Sequence, residues 1–182
     1  MRNTINNFIE YGKLKVENHN FQNEILLDDI LESSSLLNVK FLICRFQKID
    51  FSISYFTNCT FENCIFDSIN FYKSEFSKSN FKNCDFLNCI FKRTEFYNIL
   101  IKHCLFENND FSWLSWSNGK ITQTKFNQIN FTGTIFSNID VKKLSFFDLT
   151  FNEKFPLSLI QDKNLSRITD EFSFRSKLEN NL

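Results

Sequence analysis

The strictest feature of the sequence is a large apolar residue at every fifth position. Over residues 41–96 all twelve of these positions are phenylalanine, and in the same phase the apolar positions continue back to Phe21 and forward to Phe151. A period of five fits neither an α-helix nor a strand, whose side chains repeat about every 3.6 and every 2 residues. The pattern instead predicts a solenoid, in which each five-residue unit forms one side of a coil and successive coils stack.

The five-residue units share an order of residue types: small, polar, Phe or Leu, polar, any. Residues 59–63 (CTFEN), 79–83 (SNFKN) and 134–138 (TIFSN) are examples. In this pattern the chain resembles the pentapeptide-repeat proteins, and the resemblance covers residues 34–151. It implies an all-β fold, a right-handed quadrilateral β-helix with four units per coil. The central Phe or Leu and the small residue two positions before it are then expected to point inward.

Four units per coil can be tested within the sequence, because residues 20 apart should then stack on one face. At that spacing the small positions fall into columns of like residues: Cys44, Cys64, Cys84 and Cys104 in one column, and Ser54, Ser74 and Thr94 in another. A spacing of 15 or 25 residues would mix them. The 20-residue coil is therefore supported by the sequence itself.

The two ends of the chain depart from the regular repeat. Residues 1–33 fit it poorly, since Glu24 and Asp29 occupy inward-facing positions, where an unpaired charge is costly. We interpret residues 1–33 as an N-terminal cap and irregular first coil, residues 34–151 as the regular β-helix, and residues 152–182 as a C-terminal cap. After Pro156, apolar residues three and four apart predict one or two short helices in this last segment.

The C-terminal segment is also a candidate dimerisation segment. In the pentapeptide-repeat family such a tail commonly covers the last coil and joins two subunits. The tail carries more apolar side chains than one cap needs, so we predict a homodimer through it. The alternative is that these side chains only seal the last coil. The candidate interface residues are Phe155, Leu157, Ile160, Phe172, Phe174 and Leu178.

Composition limits the partners and the compartment. Lys and Arg together number 21, as do Asp and Glu, so the net charge is zero and direct binding to nucleic acid is not expected. No run approaches the roughly 18 apolar residues of a membrane span, so no membrane insertion is predicted. Six Cys without a secretory signal in residues 1–10 are typical of free thiols in a reducing compartment. We therefore predict a cytoplasmic protein, with export without a cleaved signal left open.

The cysteine column suggests a metal site at first sight, but its geometry argues against one. Zinc needs tetrahedral convergence of thiolates or imidazoles, and a ladder spread over three coil spacings cannot converge on one ion. We interpret the thiols as small core residues beside the Phe rings. Neither His19 nor His103 belongs to a recognisable nucleophile–base pair, and no phosphate-binding motif is present. No enzyme, cofactor or metal is therefore predicted.

Outward-facing residues form a candidate partner-binding surface. Stacking at 20 residues places Lys73, Arg93 and Trp113 in one outward column, with Tyr72 and Lys92 beside them. A column of basic and aromatic side chains can bind phosphate or a protein partner. The alternative is a solvated face with one exposed Trp.

Family resemblance also suggests a function. Several pentapeptide-repeat proteins, among them the quinolone-resistance proteins, bind DNA gyrase or topoisomerase IV and protect it from inhibitors. They do so as dimeric rods that resemble duplex DNA in size and charge. The resemblance implies a non-catalytic protein-binding rod with a type II topoisomerase as partner. However, residues 41–151 carry 12 Lys or Arg against 10 Asp or Glu, so the acidity of a DNA mimic is missing. The alternative is a rigid interaction scaffold or effector module unrelated to topoisomerases.

Overall fold

Successive coils of the chain stack into a β-solenoid of about 7 turns in the computed structural model, which describes residues 4–161 and 164–179. Strands 20 residues apart pair in parallel, so that Phe61 lies opposite Phe41 on one side and Phe81 on the other. The predicted β-helix and the predicted coil of four five-residue units are confirmed, because this register repeats along the stack.

Most of the described strands are three residues long, and each of these forms one side of a coil. In chain order they are β1 (Ile9–Glu10), β2 (Lys13–Glu17), β3 (Asn20–Gln22), β4 (Ile25–Ile30), β5 (Ser35–Leu37), β6 (Lys40–Leu42), β7 (Arg45–Asp50), β8 (Tyr55–Thr57), β9 (Thr60–Glu62), β10 (Ile65–Asp67), β11 (Glu75–Ser77), β12 (Asn80–Lys82), β13 (Asp85–Leu87), β14 (Glu95–Tyr97), β15 (Leu100–Lys102), β16 (Leu105–Asp110), β17 (Ser115–Thr122), β18 (Lys125–Asn130), β19 (Ile135–Lys142), β20 (Ser145–Phe147), β21 (Leu157–Gln161) and β22 (Asn164–Ile168). A 3-10 helix (Thr4–Phe8) precedes them and helix α1 (Glu171–Glu179) follows them.

The coils present four faces to solvent. Face A contains β2, β5, β8, β11 and β14, face B contains β3, β6, β9, β12 and β15, and face C contains β4, β7, β10, β13, β16, β18 and β20. Strands β17 and β19 run continuously from face A into face B. Face D, between faces C and A, is held by isolated bridges such as Asp50–Asn70.

The core is a set of stacked phenylalanine rings. Along a column the rings are nearly parallel, as for Phe41 and Phe61, whose centroids are 5.0 Å apart with planes 3° apart. Around one coil they meet edge to face, as Phe51 and Phe56 do at 5.5 Å and 86°. Aromatic pairs of this kind contribute about 0.5–1.5 kcal/mol each beyond their burial. The repeated Phe therefore sets both the spacing and much of the stability of the stack.

The corners of the coils are made almost without glycine. The residue two positions after each core residue adopts a positive φ, even where it is β-branched, as at Ile43 and Ile53, both with φ 56°. This conformation is unfavourable for such residues. A hydrogen bond to the next coil offsets part of that cost, since the Ile53 N–H donates to the Tyr72 carbonyl at 2.9 Å. Asn is the commonest corner residue, and its amide also links coils, as from Asn58 to Asn38 at 2.8 Å.

Regular pairing begins earlier than residue 34, the start predicted from the sequence. Lys15 of β2 already lies opposite Ser35 of β5. Glu24 is buried at an inward position, where its carboxylate accepts hydrogen bonds from the Thr4 hydroxyl and, at 3.4 Å, from the Ile5 N–H. The Glu24 carboxylate, which is costly to bury without a partner, therefore has hydrogen-bond partners in the 3-10 helix that caps the solenoid.

The C-terminal segment contains one described helix, α1, and two strands, β21 and β22. The prediction of one or two short helices after Pro156 is confirmed by α1, whereas Leu157, Ile160, Leu165 and Ile168, which share the three- and four-residue spacing, lie in strands. Ser158 of β21 pairs in parallel with Ile135 of β19, and β22 then pairs antiparallel with β21. The open edge of face A supplies backbone partners for this segment, which outweigh a weak helical pattern. Among the described residues, no helix is long and apolar enough to cross a membrane.

Candidate partner-binding surfaces

The inward cysteines are core residues. All six are free and buried, and the Cys64 thiol donates to the carbonyls of Phe41 and Glu62, at 3.5 Å each. Burial raises the pKa of the Cys59 thiol to about 11 and that of the Cys89 thiol to about 12. These two thiols are therefore protonated at neutral pH and do not provide thiolates. Within the described residues, no group of three or more His, Cys, Asp or Glu side chains could hold a metal.

The residues predicted to bind a partner lie together on face D. We call Tyr72, Lys73, Lys92, Arg93 and Trp113 the face-D surface. Backbone hydrogen bonds fix its spacing, with the Lys73 N–H donating to the Lys92 carbonyl at 3.2 Å and the Arg93 N–H to the Ser112 carbonyl at 3.1 Å. The column Lys73, Arg93 and Trp113, which the 20-residue period predicts, therefore stands on a backbone whose spacing is fixed by hydrogen bonds between coils.

The face-D surface is basic at its centre. The Lys73 ammonium lies 5.2 Å from the centroid of the Tyr72 ring, which is half-buried. Lys92 and Arg93 are exposed, and neither forms an ion pair with another described residue. These two cations are thus free to meet an anionic group of a partner.

Trp113 has a structural role that the sequence analysis missed. Its ring centroid lies 5.0 Å from that of Phe155, and 42% of the residue remains exposed. The ring also covers Gly133, where a Cβ atom would come within 2.7 Å of the indole, and the Gly133 N–H donates to the Phe155 carbonyl at 2.8 Å. Phe155, predicted as a dimer residue, therefore packs on face D of its own chain. One signal in the sequence could have indicated this packing: Gly133 occupies a corner position that carries a larger residue in the preceding coils.

Several other predicted dimer residues also face their own core. Leu157, Phe174 and Leu178 are buried, and the Phe174 ring lies 5.4 Å from Phe131 and 5.1 Å from Phe146. These side chains cover Phe rings that the last coil would otherwise leave open to water, as in the alternative that the tail seals the last coil, and their part in a dimer interface stays a prediction.

Other apolar groups remain exposed at this end of the rod. Phe172 on α1 is 83% exposed and Leu165 on β22 is 56% exposed, while Ile160 is half-buried. Within the described residues β22 pairs with β21 alone, so its outer edge is an open sheet edge.

Helix α1 is fastened by its first turn. The Asp170 carboxylate accepts hydrogen bonds from the Ser173 N–H and hydroxyl, both at 2.8 Å, which makes it the N-cap. The hydrogen bond from the Ser173 N–H lowers the pKa of Asp170. Glu171 accepts a hydrogen bond from the Leu149 N–H at 3.2 Å and pairs with Arg175, which also donates to the Phe146 carbonyl. Polar contacts thus hold the helix across the end of the core.

Two family models match the chain. The one described as pentapeptide repeat region matches residues 79–155, and the one described as pentapeptide repeats (8 copies) matches residues 54–93. No curated protein sequence gives a significant match.

Solved structures of similar fold include that of trypsin-treated QnrB1, a plasmid-mediated fluoroquinolone resistance protein. It is 17% identical, with 91% of this chain and 96% of that chain covered and a TM-score of 0.56. Full-length QnrB1 is 15% identical, with coverage of 88% and 98% and a TM-score of 0.48. HetL, a pentapeptide-repeat protein of the cyanobacterium Nostoc involved in heterocyst differentiation regulation, is 9% identical, with coverage of 85% and 94% and a TM-score of 0.33. At these identities the likeness concerns the fold alone.

Proposed function

Because the chain belongs to the pentapeptide-repeat family, we propose that it is a non-catalytic rod that binds a protein partner through its outer faces. The observation that supports this most directly is the face-D surface, where the free cations Lys92 and Arg93 stand beside two aromatic side chains on a rigid ladder. Arg and aromatic residues are the types that dominate the binding energy of protein interfaces. A rigid scaffold also loses little conformational freedom on binding.

A type II topoisomerase, DNA gyrase or topoisomerase IV, is the proposed partner, and the cytoplasm is the proposed place of action. The repeat resembles that of the quinolone-resistance proteins, and the rod shares its fold with QnrB1, a fluoroquinolone resistance protein. The six buried free thiols fit a reducing compartment.

A supercoiling assay tests this partner. Purified gyrase is inhibited by a fluoroquinolone, and the rod is added in increasing amounts. We expect wild-type rod to restore supercoiling, and the double variant Lys92→Ala, Arg93→Ala to restore markedly less. Lys78→Ala, which removes an exposed cation of face A, is the matched control. If wild-type rod at saturation leaves supercoiling inhibited, a topoisomerase is not the partner.

A second candidate is a scaffold that binds a different protein. The near balance of 12 basic and 10 acidic residues over residues 41–151 favours it, since a DNA mimic would need a strongly acidic surface. Such a scaffold would leave gyrase unprotected but would still lose its partner on substitution of Lys92 and Arg93.

We further propose that two copies join end to end at the C-terminal end. Phe172 and Leu165 supply exposed apolar surface there, and the open edge of β22 can pair with the same strand of a second copy. A twofold arrangement would bury the same surface on both copies.

A further inference from the structure

A groove with a basic rim crosses face B in the C-terminal half of the rod. It encloses about 370 Å³ and lies where the core column changes from Phe81 to Ile101 and Ile121. Its lining includes Leu100, Ile101 and the four lysines Lys102, Lys120, Lys142 and Lys143. No acidic residue belongs to this lining among the described residues. The groove is thus separate from the face-D surface in position and in residues.

Most of the positive charge of the groove has no counter-charge. Lys120 is paired with Asp140 at 2.6 Å, and Lys82, one coil earlier, is paired with Glu62 at 2.6 Å. Lys102 has no ion pair with any described residue, and its neighbours in register are Lys82 and Thr122. No acidic side chain therefore neutralises Lys102 from the adjacent strands.

The two lysines at the C-terminal side of the groove are similar. Lys142 and Lys143 are exposed and form no ion pair with a described residue. Asp140 interacts electrostatically with Lys142, but its ion-pair partner is Lys120. Lys102, Lys142 and Lys143 together therefore form a patch of three largely uncompensated ammonium groups.

The floor of the groove is apolar, which favours a protein ligand. Leu100 is 48% exposed beside the buried Ile101, so an apolar side chain can pack there. Lys102 and Lys142 lie two coils apart, roughly 10 Å at the spacing of neighbouring strands. Carboxylates on one face of an extended peptide are about 7 Å apart at two residues and about 14 Å apart at four residues, and flexible lysine side chains can reach either spacing. A single-stranded nucleic acid would require a longer basic track and aromatic side chains for base stacking, and the lining of the groove contains neither.

We propose that this groove binds an acidic segment of a protein partner. Carboxylates of the segment contact Lys102, Lys142 and Lys143, and an apolar side chain of the segment covers Leu100. The rod then has two interaction surfaces of different specificity. Because the groove and the face-D surface share no residue, loss of binding at one surface leaves binding at the other surface measurable.

Fluorescence anisotropy with a defined peptide tests the proposal. The probe is a labelled ten-residue peptide that repeats Glu-Glu-Leu-Leu, so that each face of the extended chain carries both glutamate and leucine. The comparison probes are a peptide with lysine in place of glutamate and a single-stranded oligothymidylate of similar length. The triple variant Lys102→Gln, Lys142→Gln, Lys143→Gln removes the patch. Its matched control, Lys15→Gln, Lys78→Gln, Lys125→Gln, removes three exposed lysines outside it. Circular dichroism of all variants checks that the solenoid is intact.

Wild-type rod and the control variant are expected to bind the acidic peptide, with an affinity that falls as salt rises. The triple variant should bind it roughly tenfold more weakly, given the modest value of each exposed charge pair. Equal binding by the triple variant and the control would overturn the proposal, as would no binding by wild-type rod up to about 1 mM peptide. Tighter binding of oligothymidylate would assign the groove to nucleic acid instead.

Discussion

The indole ring of Trp113 lies 5.0 Å from the phenyl ring of Phe155 and joins face D to the segment that leaves the last coil. The contact is possible because Gly133 has no side chain beneath the indole. Trp113 is therefore both part of the candidate binding surface and a packing contact of the C-terminal cap. Binding at face D and order at the C-terminal end are therefore expected to be coupled.

Trp113→Ala should loosen the segment around Phe155. The loss of a partly buried aromatic contact should lower the free energy of unfolding by about 2 kcal/mol, less than for a fully buried Trp. Limited proteolysis should cut near residues 152–156 faster than in the wild type, and urea unfolding gives the energy. Tyr97→Ala, which removes a comparably exposed ring on face A, is the control. Equal proteolysis of the Trp113 variant and the wild type would show that the contact does not hold the segment.

Gly119→Ala should destabilise the solenoid through a clash in the core. A Cβ atom there would lie 2.7 Å from the Ile99 carbonyl oxygen and 2.9 Å from Nε1 of the buried Trp116. Overpacking of this kind costs roughly 1–3 kcal/mol. Urea denaturation measures it, with Gly12→Asn as control, since a Cβ atom at Gly12 would meet nothing nearer than the Ile30 carbonyl oxygen at 3.8 Å and Asn tolerates positive φ. An Ala variant as stable as the wild type would mean that the coils shift apart without cost.

Acidification should weaken the attachment of α1 through its N-cap. The pKa of Asp170 is lowered in the folded protein, so its contribution is complete above the unfolded pKa of about 3.9 and is lost as pH falls through the folded pKa. Asp170→Asn keeps a capping side chain that does not titrate. Relative to it, wild-type protein should be more stable at neutral pH and should lose that advantage as the pH falls below about 4 and through the lowered pKa of Asp170.

Hydrogen exchange of the α1 amides, measured across that pH range, reports on this attachment. Asp148→Asn, at an exposed corner, controls for the removal of a negative charge near the same end. An advantage of wild type over Asp170→Asn that is constant with pH would contradict the role of the carboxylate.

Phe172→Glu should separate a C-terminal dimer into monomers. A charged side chain at an apolar twofold contact meets its own copy and must also lose its hydration. Sedimentation equilibrium should give twice the monomer mass for the wild type and the monomer mass for the variant. Phe147→Glu removes another exposed ring, 70% exposed on face C, and should leave the dimer intact. A monomeric wild type at high protein concentration would exclude the dimer.

The regular part of the fold could be predicted because the repeat is strict. Every fifth residue is apolar, and only a stacked coil places such residues together, so the faces and the Cys44 column follow from counting. The ends could not be predicted in this way, because their partners are not periodic. Glu24 is accommodated by the Thr4 hydroxyl, and residues 157–161 form strand β21 because the edge of β19 offers backbone partners.

The candidate binding residues could be placed but not fully interpreted. The period of 20 correctly aligned Lys73, Arg93 and Trp113 on one face. It carried no information on Phe155, which lies outside the repeat and packs on Trp113. Apolar residues of the tail were likewise indistinguishable in sequence, although Phe174 fills the end of the core and Phe172 faces solvent.

The central claim, a protein-binding rod that uses face D, is tested most directly by equilibrium binding of purified DNA gyrase to immobilised rod. Wild-type rod and Lys78→Ala are expected to bind gyrase equally well. The double variant Lys92→Ala, Arg93→Ala is expected to bind it at least about tenfold more weakly, as for loss of an interface hot spot. Undiminished binding by the double variant would contradict the assignment of face D, and no binding by wild-type rod would contradict the choice of partner.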